Sequence, residues 1–188
     1  MKKLTCVNDF VIRFANVNGS GSASANNLFA KAVFRLGVPV SPKNIFPSNI
    51  QGLPTWYEVR VSEQGYLGRR GGYDFIVAVN GQTLEKDYDD LLPGGYFLYD
   101  STRALSDHFY RKDITPIGIP LTDICNREIE NPKLRPLLKN ILYIGALAFL
   151  LNMEFDVFTD SIAKQFSKKP KLAAPNIRCL ELGFEYAS

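Results

Sequence analysis

The sequence has 188 residues, a length that suits one well-cored domain better than two. Its composition is 46% hydrophobic and 22% charged with 14 glycines and 11 prolines, which excludes a disordered, collagen-like or disulfide-framed chain. The formal net charge of +3 is too small to suggest a nucleic-acid partner without a concentrated basic face, and the sequence shows none.

The cysteines and the single histidine limit the metal and redox chemistry of the chain. Cys6, Cys125 and Cys179 are widely spaced and would leave one cysteine over if two were bridged, which suits a reducing cytosol. Zinc or iron–sulfur ligand sets cannot be assembled from three isolated cysteines and His108. We therefore expect a cytoplasmic protein that holds no metal of its own.

No segment of the sequence has the pattern of an export signal or a membrane span. Asn8 and Asp9 interrupt the continuous apolar stretch that a signal peptide requires. The most apolar run, at 141–151, is well short of the roughly 20 residues that cross a bilayer. We expect this run to form a buried core helix and expect no membrane partner.

The first part of the chain predicts a strand, a loop and a helix. Residues 10–15 are apolar and rich in strand-forming types, and they lead into a Gly/Ser loop at 16–22. From residue 25 the apolar positions recur with helical spacing until Gly37, a typical helix terminator. Prolines punctuate residues 38–54, which excludes a regular helix, and we expect an ordered surface loop there.

The rest of the chain alternates strands with helices and then becomes helical. Strand patterns occupy residues 56–62, 73–79, 96–100 and 114–119, the last expected at a sheet edge because it contains Pro116. Helices are predicted at 84–91, 121–129, 137–151 and 154–167, followed by a hinge at 168–171. This order predicts a single α/β domain over residues 1–188: a three-layer α/β/α Rossmann-like fold with a mainly parallel sheet and a helical C-terminal portion.

The loop after the first strand contains Gly19, Ser20 and Gly21, and its position suggests a phosphate cradle. Backbone N–H groups at the start of a helix favour an anion. The dinucleotide fingerprint is incomplete, because Ser24 stands at the third glycine position and no acidic residue occurs between positions 9 and 58. A structural turn without a ligand therefore remains an alternative.

Nothing in the sequence has the arrangement of a catalytic centre. There is no Gly-x-Ser-x-Gly motif, and His108 lies in a polar run that is typical of the surface. Asp89 and Asp90 are expected in a solvated region. Arg69 and Arg70 suit either an anionic ligand or partner, or a charged hairpin tip. We therefore expect no catalytic residue in this chain.

A proline-stiffened segment after the first helix carries unusual apolar surface. Its apolar side chains are Phe46, Ile50, Leu53 and Trp56, more than a solvated loop would keep. The sequence Phe-Pro-Ser-Asn-Ile-Gln-Gly at 46–52, with Val-Arg-Val-Ser at 59–62, resembles the γ-type subunit or domain of 2-oxoacid:ferredoxin oxidoreductases.

Further parts of the chain are similar to that family in the same order. They are the strand, Gly-rich loop and helix at 10–37, the strand ending in Asn at 73–80, the Pro-Gly-Gly turn and aspartate-tipped strand at 93–100, the Lys-Asn helix at 139–147 and the closing segment 176–186. The chain departs from the family pattern at Asn18, Ser20, Asn49 and Gln51, which lowers the charge of both loops.

The resemblance implies a division of labour within a multi-subunit enzyme. Such enzymes oxidatively decarboxylate a 2-oxoacid, for example pyruvate or 2-oxoglutarate, to an acyl-CoA and pass the electrons to ferredoxin. Thiamine diphosphate with its Mg ion and the Fe4S4 clusters reside on α-type and β-type partners. The γ-type unit is often fused ahead of the α-type domain, so this chain is expected to be a subunit or the N-terminal part of a longer polypeptide.

The resemblance also implies roles for residues of the two loops. Hydrogen bonds near the substrate or CoA would come from Gly19, Ser20, Gly21 and Ser48. Contacts with the catalytic partners would come from Phe46, Pro47, Ile50, Gln51 and Trp56. Two alternatives remain: a free-standing CoA- or nucleotide-binding Rossmann-like module, and a small independent hydrolase or reductase.

Overall fold

The computed structural model describes residue 1 and residues 8–109 and 111–188, so that Cys6 lies outside the described residues. The strands are β1 (Asp9–Val17), β2 (Val40–Ile45), β3 (Pro54–Ser62), β4 (Tyr73–Ala78), β5 (Leu91–Asp100) and β6 (Thr115–Ile119). The helices are α1 (Ser22–Arg35), α2 (Leu84–Asp89), α3 (Leu121–Glu128), α4 (Arg135–Leu150), α5 (Phe155–Gln165) and α6 (Pro170–Ala187).

The strands form one sheet in the order β2-β3-β1-β4-β5-β6. Strands β1, β4, β5 and β6 pair in parallel, whereas β3 runs antiparallel to both of its neighbours. The helix that follows β1 packs on one face of the sheet, and the helix that follows β4 packs on the other. In α/β folds, ligands usually bind in the crevice between two strands whose connections diverge in this way. The predicted α/β fold with its mainly parallel sheet and helical C-terminal portion is confirmed.

Two stretches differ from the sequence prediction. Residues 40–45, expected in a loop, form edge strand β2, paired with β3 from Val40 opposite Val61 to Ile45 opposite Trp56. An edge strand accepts Pro42 because one of its sides carries no ladder hydrogen bonds. Residues 93–95, expected as a turn, lie inside β5, where the register with β4 shifts as in a β-bulge.

Alternation along β4 places side chains on both faces of the sheet. Phe75 and Val77 belong to the larger core, which includes side chains of α1, α3, α4, α5 and α6. Ile76 and Ala78 belong to a smaller core with Tyr88 of α2 and neighbouring loops. The fold therefore has three layers, and the described part of the second outer layer is thin.

The second face of the sheet also carries a buried charge cluster. Arg13 of β1 pairs with Glu58 of β3 at 3.0 Å and with Asp90 at 2.6 Å. Burial raises the pKa of Asp87, although hydrogen bonds from Thr83 and Trp56 and the Arg13 charge act in the opposite direction. Asp90 therefore links α2 to the sheet, whereas the sequence analysis placed it in a solvated region.

The arginines of the β3–β4 loop are engaged inside the chain. Arg69 pairs with Glu58 at 2.7 Å, and Arg70 pairs with Asp74 at 3.1 Å. Desolvation and the hydrogen bond to Glu58 raise the pKa of Tyr73, beside Arg13, to about 12. Because both arginines are already paired within the chain, a charged surface loop is favoured over a ligand site for Arg69 and Arg70.

Helices α4 and α6 approach each other at two glycines. A Cβ at Gly145 would lie against the carbonyl oxygen of Leu180, and a Cβ at Gly183 would lie against that of Leu142. Both contacts would be with backbone atoms, which cannot rotate away. The Gly-Ala-Leu and Leu-Gly-Phe motifs of the C-terminal half are therefore packing motifs.

We predict that Gly145→Ala lowers the free energy of unfolding by about 3 kcal/mol, the upper part of the range for overpacked cores. Urea denaturation followed by circular dichroism measures the change. Gly71→Ala is the matched control, because nothing lies within 4 Å of its Cβ position, and it should change stability by less than about 0.5 kcal/mol. Equal stability of the two variants would contradict the close helix contact.

Candidate functional site

Two loops that are distant in sequence meet at the carboxyl edge of β1. The Asn18 N–H donates to the Leu53 carbonyl at 2.8 Å, and the Gly52 N–H donates to the Asn18 carbonyl at 3.0 Å. The Asn18 side-chain amide also donates to the Ile50 carbonyl at 3.2 Å. The loop at 17–22 and the β2–β3 turn at 46–53 therefore form one unit, which we call the double loop.

Glycines are required at two positions of the double loop. Gly19 and Gly21 have φ values of 84° and 77°, in the left-handed region that other residues avoid. A Cβ at Gly19 would lie 2.7 Å from Cγ of Gln51, and one at Gly21 would meet the Leu137 side chain. The chain thus needs these glycines for conformation and for space, whether or not a ligand binds.

Helix α1 begins at Ser22, where the double loop ends, and no side chain caps its first N–H groups. Ser22 and Ala23 of its first turn line a cavity of about 270 Å³, together with Gly19, Gly21, Asn44 and Phe46. The first turn holds no acidic residue. Uncapped N–H groups and the positive end of the helix dipole make this cavity favourable for an anion.

The two serines assigned to the site lie beside this cavity. The Ser20 hydroxyl oxygen is buried and has no hydrogen-bond partner among the described residues. The Ser20 carbonyl accepts a hydrogen bond from the Asn140 side chain of α4 at 2.9 Å. The Ser48 hydroxyl accepts one from the Ile50 N–H at 3.2 Å within the turn. The cavity lining includes Gly19 and Gly21 but neither serine.

Beneath the cavity, three buried polar side chains form a closed hydrogen-bond ring, which we call the Asn–Asn–Tyr ring. The Asn26 amide donates to Asn16 Oδ1 at 2.9 Å, the Asn16 amide donates to the Tyr143 hydroxyl at 3.3 Å, and that hydroxyl donates to Asn26 Oδ1 at 2.7 Å. Complete burial raises the pKa of Tyr143, so the hydroxyl stays protonated. The ring joins β1, α1 and α4.

A second cavity of about 410 Å³ opens at the carboxyl ends of β4 and β5. At its wall, Asp100 Oδ2 accepts a hydrogen bond from the Thr122 hydroxyl at 2.5 Å, and Lys139 Nζ lies 3.7 Å from the same oxygen. Arg103 and Thr102 also line this cavity. Two motifs of the sequence analysis, 93–100 and 139–147, therefore meet here.

The residues expected at a partner interface have different environments. Phe46 and Ile50 are 53% and 61% exposed, and Pro47 and Gln51 are also exposed. Trp56 lies within β3 and is half-buried, and its indole N–H donates to Asp87 Oδ1 at 2.8 Å. Of the residues expected at the interface, the exposed ones therefore all lie in the turn at 46–53.

Comparison with known proteins decides the family. The family profile described as pyruvate ferredoxin/flavodoxin oxidoreductase matches residues 11–186, almost the whole sequence. The chain belongs to this family. The resemblance found in the sequence is thereby confirmed, and the match includes the double loop and both cavities.

Relatives of known structure have the same fold. A 2-oxoglutarate:ferredoxin oxidoreductase of Magnetococcus marinus, with 2-oxoglutarate, coenzyme A and succinyl-CoA bound, is 26% identical with a TM-score of 0.85, over 97% of this chain and 31% of that chain. The γ subunit of a keto/oxoacid ferredoxin oxidoreductase of Geobacter sulfurreducens is 19% identical with a TM-score of 0.74, over 95% and 98%. This chain therefore has the fold of a γ subunit.

A curated relative extends the comparison. The α subunit of 2-oxoacid:ferredoxin oxidoreductase 2 of Aeropyrum pernix is 21% identical over 95% of this chain and 34% of its own length. The chain spans about a third of the length of the curated relatives that it matches first.

The described part of the chain offers little for metal binding or nucleophilic chemistry. Among residues 8–109 and 111–188, no group of three or more His, Cys, Asp and Glu side chains is placed to hold a metal ion. Burial raises the pKa of the Cys125 thiol to about 11 and that of Cys179 to about 12, so both are neutral thiols. His108 is exposed. No helix in the described ranges has the length and apolar character of a membrane span.

Sequence reasoning missed the Asn–Asn–Tyr ring and the second cavity. The signal in the sequence is a polar residue within an apolar segment, because such a residue needs a hydrogen-bond partner when it is buried. It applies to Asn16, Asn26 and Tyr143. Lys139 and Asp100 were noticed only as parts of motifs. Their proximity depends on the parallel order of β5 and β6 and on the packing of α4.

We predict that Tyr143→Phe lowers the free energy of unfolding by about 2 kcal/mol, because it leaves two buried asparagines each without one partner. Urea denaturation measures the loss. Tyr57→Phe is the matched control, since the one hydrogen bond of that hydroxyl among the described residues is a long one of 3.4 Å to Asn27 Oδ1, and it should cost less than about 1 kcal/mol. Equal losses in the two variants would be inconsistent with the ring.

Asp100 gives the chain a component of its pH-dependent stability. Burial opposes ionisation of Asp100, but hydrogen bonds from Thr122 and Thr102 and the Lys139 charge outweigh it and lower its pKa. The ionised group therefore stabilises the fold above about pH 4, the ordinary aspartate value, and this contribution is lost as the pH falls further.

We predict that Asp100→Asn reduces stability at pH 7 and flattens the decline of stability below about pH 4. Urea denaturation at several pH values between 7 and 3 tests this. Asp89→Asn, which changes an exposed carboxylate, provides the control and should leave the curve close to that of the wild type. An unchanged acid limb in Asp100→Asn would overturn the assignment.

Proposed function

We propose that this chain is the γ-type component of a 2-oxoacid:ferredoxin oxidoreductase, which oxidatively decarboxylates a 2-oxoacid to an acyl-CoA. Family membership and the γ-subunit fold support this proposal. The observation that carries it is the double loop, where an exposed apolar turn is hydrogen-bonded to a glycine loop that opens on an uncapped helix N-terminus. The component is a separate subunit or one part of a longer chain.

The catalytic cofactors are assigned to partners. The described residues include no metal-binding group of three or more candidate ligands, and both described cysteines are buried neutral thiols. In our proposal the α-type and β-type units hold thiamine diphosphate, its Mg ion and the Fe4S4 clusters, and ferredoxin receives the electrons from them. This chain would supply part of the wall of the active site that the subunits form together.

The cavity of the double loop is suited to one anionic part of coenzyme A. Its volume of about 270 Å³ is slightly below the usual range for ligand pockets, so this chain would supply one wall. The Ser22 and Ala23 N–H groups would hold a phosphate, and Gly19 and Gly21 would let it approach the backbone. Ser48 would add a hydrogen bond once a partner covers the turn, whereas Ser20 would act by shaping the loop, since its hydroxyl is buried and its backbone groups already have partners within the chain. Bound coenzyme A would supply the thiol that receives the acyl group.

The turn at 46–53 is the proposed contact with the catalytic partners. Phe46 and Ile50 expose large apolar side chains, and neighbouring Pro47 and Gln51 are also exposed. Burial of such surface contributes about 25 cal/mol per Å². Trp56 would take part only with the surface that its contacts inside the chain leave free.

We predict that Ile50→Asp lowers recovery of the complex at least tenfold when the chain is co-expressed with the thiamine-binding partner and purified by a tag on that partner. A charge buried in an apolar interface is costly, which is the reason for the loss. Leu67→Asp is the matched control, because Leu67 is 66% exposed but lies in the β3–β4 loop at the opposite edge of the sheet.

Four outcomes would contradict the proposal. Failure of the wild-type chain to co-purify with the tagged partner would argue against the interface. Equal recovery of the complex with Ile50→Asp and with Leu67→Asp would argue against it as well. Micromolar binding of coenzyme A by the isolated chain in calorimetry would favour a free-standing binding module. Complete turnover of a 2-oxoacid by the isolated chain would show that it is an independent enzyme.

A further inference from the structure

A groove of about 390 Å³ lies between α1 and α5. It is separate from both cavities at the carboxyl edge, and none of its lining residues belongs to the double loop. Its charged lining residues are Lys31 and Arg35 of α1 and Lys164 of α5, and the rest of the lining is Ser24, Asn27, Leu28, Ser161 and Gln165. The groove brings together cations that are far apart in the sequence.

The positive charge of the groove is not neutralised within the described part of the chain. Lys31, Arg35 and Lys164 form no ion pair with any described carboxylate, whereas other arginines of the fold are paired. Helix α1 contains no Asp or Glu, and no acidic residue lines the groove. Asp160, one turn before Lys164 on α5, is not part of the lining. Three neighbouring like charges repel one another, and an anion would relieve the repulsion.

One of these cations is held in place. The Arg35 guanidinium donates to the Ser161 hydroxyl, which in turn donates to the Val157 carbonyl at 2.6 Å. Ser161 is buried. The guanidinium is therefore oriented before any ligand arrives, which reduces the entropy lost when a carboxylate binds.

An exposed aromatic residue of α1 lies directly before the groove residue Arg35 in the sequence. Phe34 is 68% exposed, the most exposed of the large apolar side chains in the described chain, and it lies one turn after Lys31 on the same side of α1. A free phosphate would make no favourable contact with such an apolar side chain. A peptide that carries both carboxylates and an apolar residue matches the cations and Phe34 together.

We propose that the groove between α1 and α5 binds an acidic segment of a partner protein, with its carboxylates on Lys31, Arg35 and Lys164 and an apolar side chain on Phe34. The net charge of +3 and the small number of cations disfavour a nucleic acid as the occupant. This inference does not depend on the identity of the enzyme, because it uses a different surface from the double loop.

The test uses the full chain, in the assembly in which it purifies, and a fluorescein-labelled peptide of six glutamates around one leucine. Fluorescence anisotropy measures the dissociation constant at low and at physiological salt. Lys31→Glu/Lys164→Glu should weaken binding at least tenfold, and Phe34→Ser should weaken it about threefold. The matched control is Lys43→Glu/Lys133→Glu, which changes the net charge equally at two exposed lysines outside the groove and should stay within twofold of wild type.

The proposal fails if the peptide does not bind, or if the groove variant and the control weaken binding equally, since that would show attraction by net charge alone. It also fails if a single-stranded RNA or tripolyphosphate binds at the groove more tightly than the peptide does. Equal binding of a peptide with serine in place of leucine would remove the role of Phe34. Urea midpoints of all variants close to that of the wild type confirm that the changes act on binding.

Discussion

The Asn–Asn–Tyr ring is the constraint on which the candidate site depends. Its three members come from β1, α1 and α4, and each is buried and donates one hydrogen bond and accepts another within the ring. Unpaired polar groups at this depth would cost about 1–3 kcal/mol each. The ring therefore fixes the angle at which α1 leaves the sheet, and with it the direction of the helix N-terminus and the position of the glycine loop.

Local sequence patterns predict most of the elements of this fold. Helix α4 follows from a long apolar run, and β1 and β4 follow from apolar runs bounded by turn residues. Strand β2 could not be found in this way, because Ser41, Pro42 and Lys43 make a poor strand pattern. Its strand conformation comes from pairing with β3, a contact between segments on either side of a turn.

The candidate site was only half visible in the sequence. The glycine loop and the apolar turn each had a signature of their own, but their union depends on the β2–β3 hairpin that local patterns missed. Trp56 is half-buried, with Arg13 beside its ring and its indole N–H on Asp87, so its contact with a partner stays a prediction for the surface that remains exposed. Pairing and burial are non-local properties, and a single sequence reports them poorly.

Prolines in the two outermost strands affect how the protein behaves at high concentration. Each contains a proline, Pro42 in β2 and Pro116 in β6, and these strands are the two ends of the sheet. A proline has no N–H to offer to an incoming strand, so neither end is a good template for intermolecular β-pairing. The sheet is thereby protected from edge-to-edge aggregation, and association with other proteins is left to loops and helix surfaces.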